Sequence, residues 1–273
     1  MAEQIDQKTL GDLKRVALLL ADAARPETLR YFRQALETDN KDAAAFDPVT
    51  EADCAAERAM RDVLARERPD DAIFGEEYGI KSGTTGLTWV LDPIDGTRGY
   101  ISGTPTWGVL IAVGDTTGPI IGVVDQPYIG ERFFGAPFEA YVEGPQGRTP
   151  LKTREARSLS EAIVFTTFPE VNTPKDREAF ERVSAKARLT RFGMDCYAYA
   201  LVATGQVDLV IEAGLKAYDI QGPMAVIQAA GGIVTSWSGG SAKDGGQVIA
   251  AANAQIHAEA LALLAPYADK PKG

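Results

Sequence analysis

Two aspartates are the residues best placed to do chemistry, and they lie in the segment Asp92-Pro93-Ile94-Asp95-Gly96-Thr97. The apolar run before them, residues 89–91, predicts a buried strand. Pro93 fixes its own backbone and pushes Asp92 into an extended conformation, so the turn can point both carboxylates at one place. Two fixed carboxylates favour a cation, and backbone N–H groups at a helix start favour an anion such as phosphate. The spacing predicts adjacent cation and anion sites; a plain surface turn is the simpler interpretation.

Other acids occur in similar positions along the chain. Glu76 and Glu77 follow a short apolar run, Asp47 precedes a proline, and Asp219 begins a predicted helix. Each has a simpler interpretation when taken alone. A charge pair is often solvated, an acid before proline can be a turn residue, and an acid at a helix start is favoured by the helix dipole. Only their combination would indicate a site.

The pattern of apolar residues predicts the elements that must position these acids. Residues 10–36 show helical spacing interrupted by Pro26, which predicts either two helical segments or one bent helix, and a second helix is predicted at about 51–67. A largely antiparallel, meandering sheet is predicted from the short β-rich runs 88–91, 107–113, 120–125, 132–135 and 140–142. We therefore expect an α+β half over residues 1–150.

From about residue 160 the predicted strands and helices alternate. Strands are predicted at 162–166, near 192, and at 207–212, 233–237 and 247–251; helices are predicted at 175–187, 195–204, from 219 and from 254. We expect an α/β half over residues 151–273, packed on the first half.

Composition limits the classes of function. The 273 residues include 28 basic and 38 acidic ones, a formal net charge of −10, without a Lys/Arg cluster, so we expect no nucleic-acid partner. Two cysteines, Cys54 and Cys196, are too few for a disulfide framework and lack paired zinc-site spacing, which predicts a reducing, cytoplasmic location. No signal-peptide pattern and no apolar run of about 18 residues occurs, which predicts no membrane partner.

Four segments in order resemble the inositol monophosphatase family of metal-dependent phosphomonoesterases. They are residues 47–53 (Asp-Pro-Val-Thr-Glu-Ala-Asp), 75–77 (Gly-Glu-Glu), 89–97 (Trp-Val-Leu-Asp-Pro-Ile-Asp-Gly-Thr), and Tyr218-Asp219 running on to residues 230–232 (Ala-Gly-Gly). The resemblance implies a layered α/β/α/β/α fold and a homodimer. It also implies a set of metal ligands: Glu76, Asp92, the Ile94 carbonyl, Asp95 and Asp219.

The resemblance also implies catalytic roles. Glu76 and the Thr97 hydroxyl, tied to Asp47, would orient an attacking water, and the N–H groups of Gly96 and Thr97 would hold the phosphate. Oxygen ligands favour Mg²⁺ over zinc, and we expect two or three ions. His257, the single histidine, lies in the last predicted helix and is interpreted as a surface residue.

The second half is expected to select the substrate. Residues 191–199 (Arg-Phe-Gly-Met-Asp-Cys-Tyr-Ala-Tyr), 101–108 and 218–221 resemble the histidinol-phosphate phosphatase branch of the family. We therefore predict that Arg191, Asp195, Glu212 and Asp219 bind substrate, with the two acids Asp195 and Glu212 pairing with the cationic groups of histidinol phosphate. The simpler interpretation of Asp195 is that it caps the helix beginning at Cys196.

Two alternatives remain open from the sequence. The first is hydrolysis of another small phosphate ester: inositol 1-phosphate, fructose 1,6-bisphosphate or a 3′-phosphoadenosine nucleotide. The second, of another class, is a protein-binding partner in a transcription complex. The intact acidic segments favour the interpretation that the protein is a metal-dependent phosphatase of a small phosphate ester.

Overall fold

The computed structural model describes residues 6–34 and 50–270. Its helices are α1 (Gln7–Tyr31), α2 (Thr50–Glu67), α3 (Thr97–Ile101), α4 (Pro174–Ser184), α5 (Asp195–Ala203), α6 (Ala217–Ala229) and α7 (Ala254–Leu264). Its strands are β1 (Ala72–Gly75), β2 (Gly79–Lys81), β3 (Thr88–Asp95), β4 (Gly108–Asp115), β5 (Gly118–Gln126), β6 (Glu131–Ala136), β7 (Glu139–Gly144), β8 (Gly147–Pro150), β9 (Ile163–Thr166), β10 (Leu189–Phe192), β11 (Leu209–Leu215), β12 (Ile233–Ser236) and β13 (Gly246–Ala251).

Two sheets form the framework. The larger sheet has eight strands in the order β2-β1-β3-β4-β5-β6-β7-β8, and the smaller has five in the order β10-β9-β11-β13-β12. From β3 to β8 the larger sheet is an antiparallel meander, as predicted, whereas β1 pairs with β3 in parallel. The parallel pair matters for the site because it brings the carboxyl ends of β1 and β3 to the same edge.

Five layers of helices and sheets pack together through three large apolar cores. Helices α1 and α2 pack on one face of the larger sheet. Helices α5 and α6 fill the space between the two sheets. Helices α4 and α7 cover the outer face of the smaller sheet. The order is therefore helix, sheet, helix, sheet, helix, which confirms the predicted α+β fold and its α/β/α/β/α layers.

Details of the first half differ from the prediction. Of the two alternatives predicted for residues 10–36, the structure has one helix, which runs through Pro26 but ends at Tyr31. Its buried face continues from Leu13 past the proline to Thr28. The short strands β2 and β8 were not predicted. β2 has three residues and none is buried, and all four residues of β8 are exposed, so neither carries the apolar alternation that marks a strand.

Glycines allow α6 to lie close against the larger sheet. A Cβ atom added to Gly122 in β5 would lie 2.2 Å from the carbonyl oxygen of Gly222 in α6, and one added to Gly135 in β6 would lie 2.4 Å from Cα of Val226. This close approach places the first turn of α6, with Asp219, beside the end of β3. Within the described residues no helix is long and apolar enough to cross a membrane.

Candidate active site

The predicted acidic residues come from three elements that meet at one place: the ends of two strands and the start of one helix. Asp92 and Asp95 lie in the last half of β3, and Glu76 directly follows β1, its parallel neighbour. The Glu76 N–H donates to the Leu91 carbonyl at 3.1 Å, which continues the β1–β3 ladder to the site. Asp219 lies in the first turn of α6, where its Oδ2 accepts the Lys216 N–H at 2.7 Å. The structure therefore brings together four acids that are far apart in sequence.

Three of these carboxylates are close enough to share a metal ion. One oxygen each from Asp92, Asp95 and Asp219 lies within 4.8 Å of the others, and Glu76 contacts Asp92. Asp92 is 1% exposed, and its Oδ1 has no hydrogen-bond partner among residues 6–34 and 50–270. A buried carboxylate oxygen without a partner is unfavourable unless a cation compensates it. The donor set, all oxygen, fits Mg²⁺.

Electrostatics within the cluster favour the binding of a cation. Burial, followed by the charge of Glu76, raises the pKa of Asp92 well above its usual range, and burial, followed by Asp219, does the same to the pKa of Asp95. Desolvation and the Asp219 charge raise the pKa of Glu76 to about 7. Burial raises the pKa of Asp219 to about 6. Without a cation these acids oppose one another's ionisation.

The turn after β3 links the acidic cluster to a possible phosphate site. Gly96 precedes α3 with a φ of +85°, a left-handed conformation that favours glycine. The Thr97 hydroxyl donates to the Ile94 carbonyl at 3.4 Å. Asp95 Oδ2 accepts the Cys196 N–H at 2.7 Å and so joins the cluster to the start of α5. Asp47, the remaining predicted catalytic residue, lies outside the described residues.

A cavity of about 320 Å³ adjoins the acidic cluster. Its lining includes Asp95, Gly96, Thr97 and Asp219, together with Thr167, Asp195, Tyr199 and Glu212. A cavity that adjoins a carboxylate cluster and carries further polar groups can hold a small ester of phosphate.

Comparison with known proteins agrees with this geometry. The family model described as the inositol monophosphatase family matches residues 10–269. The chain belongs to that family. It is 38% identical over 272 residues to the bifunctional phosphatase IMPL2, chloroplastic, of Arabidopsis thaliana, covering 94% of this chain and 76% of that protein. It is 34% identical over 253 residues to a histidinol-phosphatase of Mycobacterium tuberculosis, covering 91% and 96%.

A solved structure has the same architecture. The inositol monophosphatase from Zymomonas mobilis superposes with a TM-score of 0.84 at 36% identity, covering 93% of this chain and 98% of that one. The chain is thus a phosphatase of the inositol monophosphatase family, with an acidic cluster that fits the metal dependence of that family.

Asp195 and Glu212 both face the cavity of this inositol monophosphatase-family protein. Asp195 Oδ2 accepts the Thr106 hydroxyl at 2.8 Å. Its carboxylate does not cap α5, because the cap residue is Met194 and no side chain caps that end. Glu212 is 5% exposed, and its Oε1 accepts the Thr167 N–H at 2.7 Å and the Thr167 hydroxyl at 2.8 Å.

Arg191 lies outside the cavity. It is on the edge strand β10, is exposed, and is not among the residues that line the cavity. Its predicted role in substrate binding therefore has no support from this cavity.

Cys196 is buried, and burial raises the pKa of its thiol well above the usual range, so it is a small apolar group rather than a nucleophile. Cys54 and Cys196 are both free.

Sequence reasoning missed several residues around the site. Glu57 in α2 is 0% exposed and accepts the Glu77 N–H at 2.7 Å and the Tyr78 N–H at 3.2 Å, which holds the turn that carries Glu76. The Arg98 guanidinium lies 4.5 Å from the ring centre of Phe168, and both residues line the cavity. A charged residue on the buried face of α2 was the available signal for Glu57.

The pH dependence of stability should report on Glu212. Burial raises its pKa from 4.5 to about 7, although the Thr167 hydrogen bonds act in the opposite direction. The folded protein then binds a proton more tightly than the unfolded chain. The contribution of Glu212 to the free energy of unfolding is therefore full below pH 4.5 and is lost as pH rises to about 7. The loss is about 3 kcal/mol at 1.36 kcal/mol per pKa unit.

Urea unfolding of Glu212→Gln and of the unmodified protein between pH 4 and pH 8 measures this contribution. We expect the difference in free energy of unfolding to move in favour of the variant as pH rises, and to level off above about pH 7. A difference that stays constant with pH would contradict a raised pKa for Glu212.

Proposed function

We propose that this protein is a Mg²⁺-dependent phosphomonoesterase whose substrate is L-histidinol phosphate, which it hydrolyses to L-histidinol and phosphate in histidine biosynthesis. One observation carries the choice of substrate: Asp195 and Glu212 place two further carboxylates in the lining of the cavity that adjoins the acidic cluster. Histidinol carries an ammonium group and an imidazole, which can pair with two acids. The similarity to the M. tuberculosis histidinol-phosphatase supports this choice.

The residues proposed to hold two or three Mg²⁺ ions are Glu76, Asp92, Asp95, Asp219 and the carbonyl of Ile94. When bound, Mg²⁺ supplies Lewis-acid stabilisation of negative charge on the phosphoryl group. The N–H groups of Gly96 and Thr97 bind the phosphate oxygens at the start of α3. Glu76 and the Thr97 hydroxyl orient the attacking water, and Glu76 accepts its proton. A role for Asp47 in holding Thr97 stays a prediction.

An inositol phosphate is the second candidate substrate, favoured by the similarity to the Z. mobilis inositol monophosphatase. A polyol has no cation, so it would leave both Asp195 and Glu212 without a countercharge in a cavity where burial raises the pKa of each. A buried acid without an opposite charge beside it is unfavourable, even where hydroxyl and N–H groups donate hydrogen bonds to it. The charge of the cavity therefore favours the cationic leaving group.

We further propose a homodimer in a reducing, cytoplasmic compartment, with no nucleic-acid or membrane partner. The interpretation as a protein-binding partner in a transcription complex stays an untested alternative. Sedimentation of the purified protein measures its oligomeric state. The protein-binding alternative is tested by a pull-down from cell extract, whose result is compared with the phosphatase activity of the pure protein.

A phosphate-release screen tests the proposed activity. We expect release from L-histidinol phosphate in Mg²⁺ with a kcat/KM at least about tenfold above that for inositol 1-phosphate, since tenfold corresponds to one favourable interaction of about 1.4 kcal/mol. Fructose 1,6-bisphosphate and a 3′-phosphoadenosine nucleotide complete the panel, and the same reactions with a chelator give the metal-free baseline. A tenfold preference for inositol 1-phosphate would overturn the choice of substrate.

A further inference from the structure

Tyr199 lines the cavity, and no described residue binds its hydroxyl. Its side chain lines the cavity with Asp195 and Glu212, and the residue is 4% exposed. The hydroxyl oxygen is buried and has no hydrogen-bond partner within residues 6–34 and 50–270. A buried polar group left without a hydrogen bond is unfavourable, so a native fold that keeps one has a reason to do so.

The hydroxyl differs chemically from the other polar groups in this lining. Ionised Asp195 and Glu212 can only accept hydrogen bonds, whereas a protonated phenol can donate one. Burial, and then the nearby charges of Glu212 and Asp95, raise the pKa of Tyr199 well above its usual range, so it keeps its proton. Tyr199 is therefore a hydrogen-bond donor in the same lining as the two acceptors Asp195 and Glu212.

We propose that Tyr199 is a specificity-determining residue that donates a hydrogen bond to the acceptor nitrogen of the leaving group's imidazole, while Glu212 accepts the ring N–H. This inference rests on the proposed function and deepens it. Neutral imidazole has one N–H donor and one acceptor nitrogen, which matches a phenol and a carboxylate. An ammonium group has donors only, so it matches Asp195 and leaves Tyr199 for the ring.

Tyr197 provides a matched control two residues away on the same helix. Its hydroxyl donates to Oε2 of Glu131 at 2.8 Å, and it is not among the residues that line the cavity. Tyr197→Phe therefore removes the same atom from the same helix without touching the cavity. Any effect of Tyr199→Phe that Tyr197→Phe does not share belongs to the cavity.

The test compares two esters, L-histidinol phosphate and L-alaninol phosphate, which share the ammonium group and the phosphate but differ in the ring. For Tyr199→Phe we expect kcat/KM to fall about tenfold on histidinol phosphate, mainly through KM, because one hydrogen bond is lost. We expect a change of less than about twofold on alaninol phosphate. Tyr197→Phe should leave the ratio between the two esters unchanged.

Thermal unfolding separates specificity from packing. Removing a hydroxyl that has no partner should leave Tm of Tyr199→Phe equal or higher, whereas Tyr197→Phe should lower Tm by losing its bond to Glu131. Equal losses on both esters, no loss on either, or a lowered Tm for Tyr199→Phe would overturn the inference alone. An unmodified enzyme that does not hydrolyse histidinol phosphate would overturn the proposed function and this inference together.

Discussion

Replacing Asp92 with asparagine should abolish most phosphatase activity and yet make the metal-free fold more stable. Asp92 is 1% exposed, its Oδ1 has no partner in the described part of the chain, and Asp95 and Asp219 lie within 4.8 Å. On folding without metal, the Asp92 carboxyl must either take up a proton or stay charged beside other acids, and an amide does neither. The change should therefore stabilise the metal-free protein by about 1–3 kcal/mol. The same change removes a proposed ligand, and we expect kcat/KM to fall on the order of 1,000-fold, equivalent to about 4 kcal/mol.

Asp208 supplies the control for Asp92→Asn. It is 0% exposed but lies away from the site, where it pairs with Arg154 at 2.9 Å and accepts the Ile163 N–H at 2.8 Å. Asp208→Asn should lower stability and leave the turnover of the folded fraction unchanged. Urea unfolding of each variant, once in chelator and once in Mg²⁺ without chelator, measures its free energy of unfolding without and with the ion. Near-normal Mg²⁺-dependent turnover by Asp92→Asn would exclude Asp92 as a ligand.

Replacing Glu57 with glutamine is expected to have the second largest effect, although Glu57 does not line the cavity. Its carboxylate accepts two backbone N–H groups of the turn after Glu76 and pairs with Arg61 Nε at 2.7 Å. The fit is tight, because a Cβ atom on Gly75 would lie 1.9 Å from Glu57 Oε1. Glutamine turns one acceptor into a donor that faces an N–H group, which should cost about 2–4 kcal/mol of stability and misplace Glu76.

The kinetic consequence should be a loss of about 10- to 100-fold in kcat/KM, the range found when a residue supporting metal ligands is changed. The half-activating Mg²⁺ concentration should also rise, which a merely destabilised protein would not show at a temperature where it stays folded. Glu67→Gln, on the same helix but in a surface pair with Arg15, should change neither quantity. An unchanged Mg²⁺ requirement in Glu57→Gln would limit Glu57 to a structural role.

The acidic cluster could be predicted because each of its parts is local in sequence. A proline between two aspartates restricts one turn, an apolar run announces the strand before it, and an acid at a helix start is recognisable by position. What brings them together is the parallel pairing of β1 with β3 and the close approach of α6 to the larger sheet. The β1–β3 pair joins residues 16 positions apart, and the glycine contacts of α6 join residues 91 and 100 positions apart. The resemblance to a family, rather than the residue pattern, therefore predicted their meeting.

The substrate side of the cavity was harder to predict. Asp195 was open to interpretation as a helix cap, whereas in the structure Met194 is the cap residue and the Asp195 carboxylate bonds Thr106, 89 residues earlier. Glu57 gave only the weak signal of an acid on the buried face of α2, and Tyr199 gave none, because the role of a buried side chain depends on its partners. The exposed position of Arg191 shows the converse: a charged residue within a suggestive segment can lie on the outer edge of a sheet.

The hydrogen bond from the Cys196 amide to Asp95 has a consequence for engineering this enzyme. The helix that carries Asp195 and Tyr199, the residues proposed to contact the leaving group, is anchored by the same carboxylate that is proposed to bind the ion. Any exchange of that helix intended to broaden the range of esters would shift the anchor as well. Substrate range and magnesium affinity should therefore change together in such chimaeras, and both would have to be selected at once.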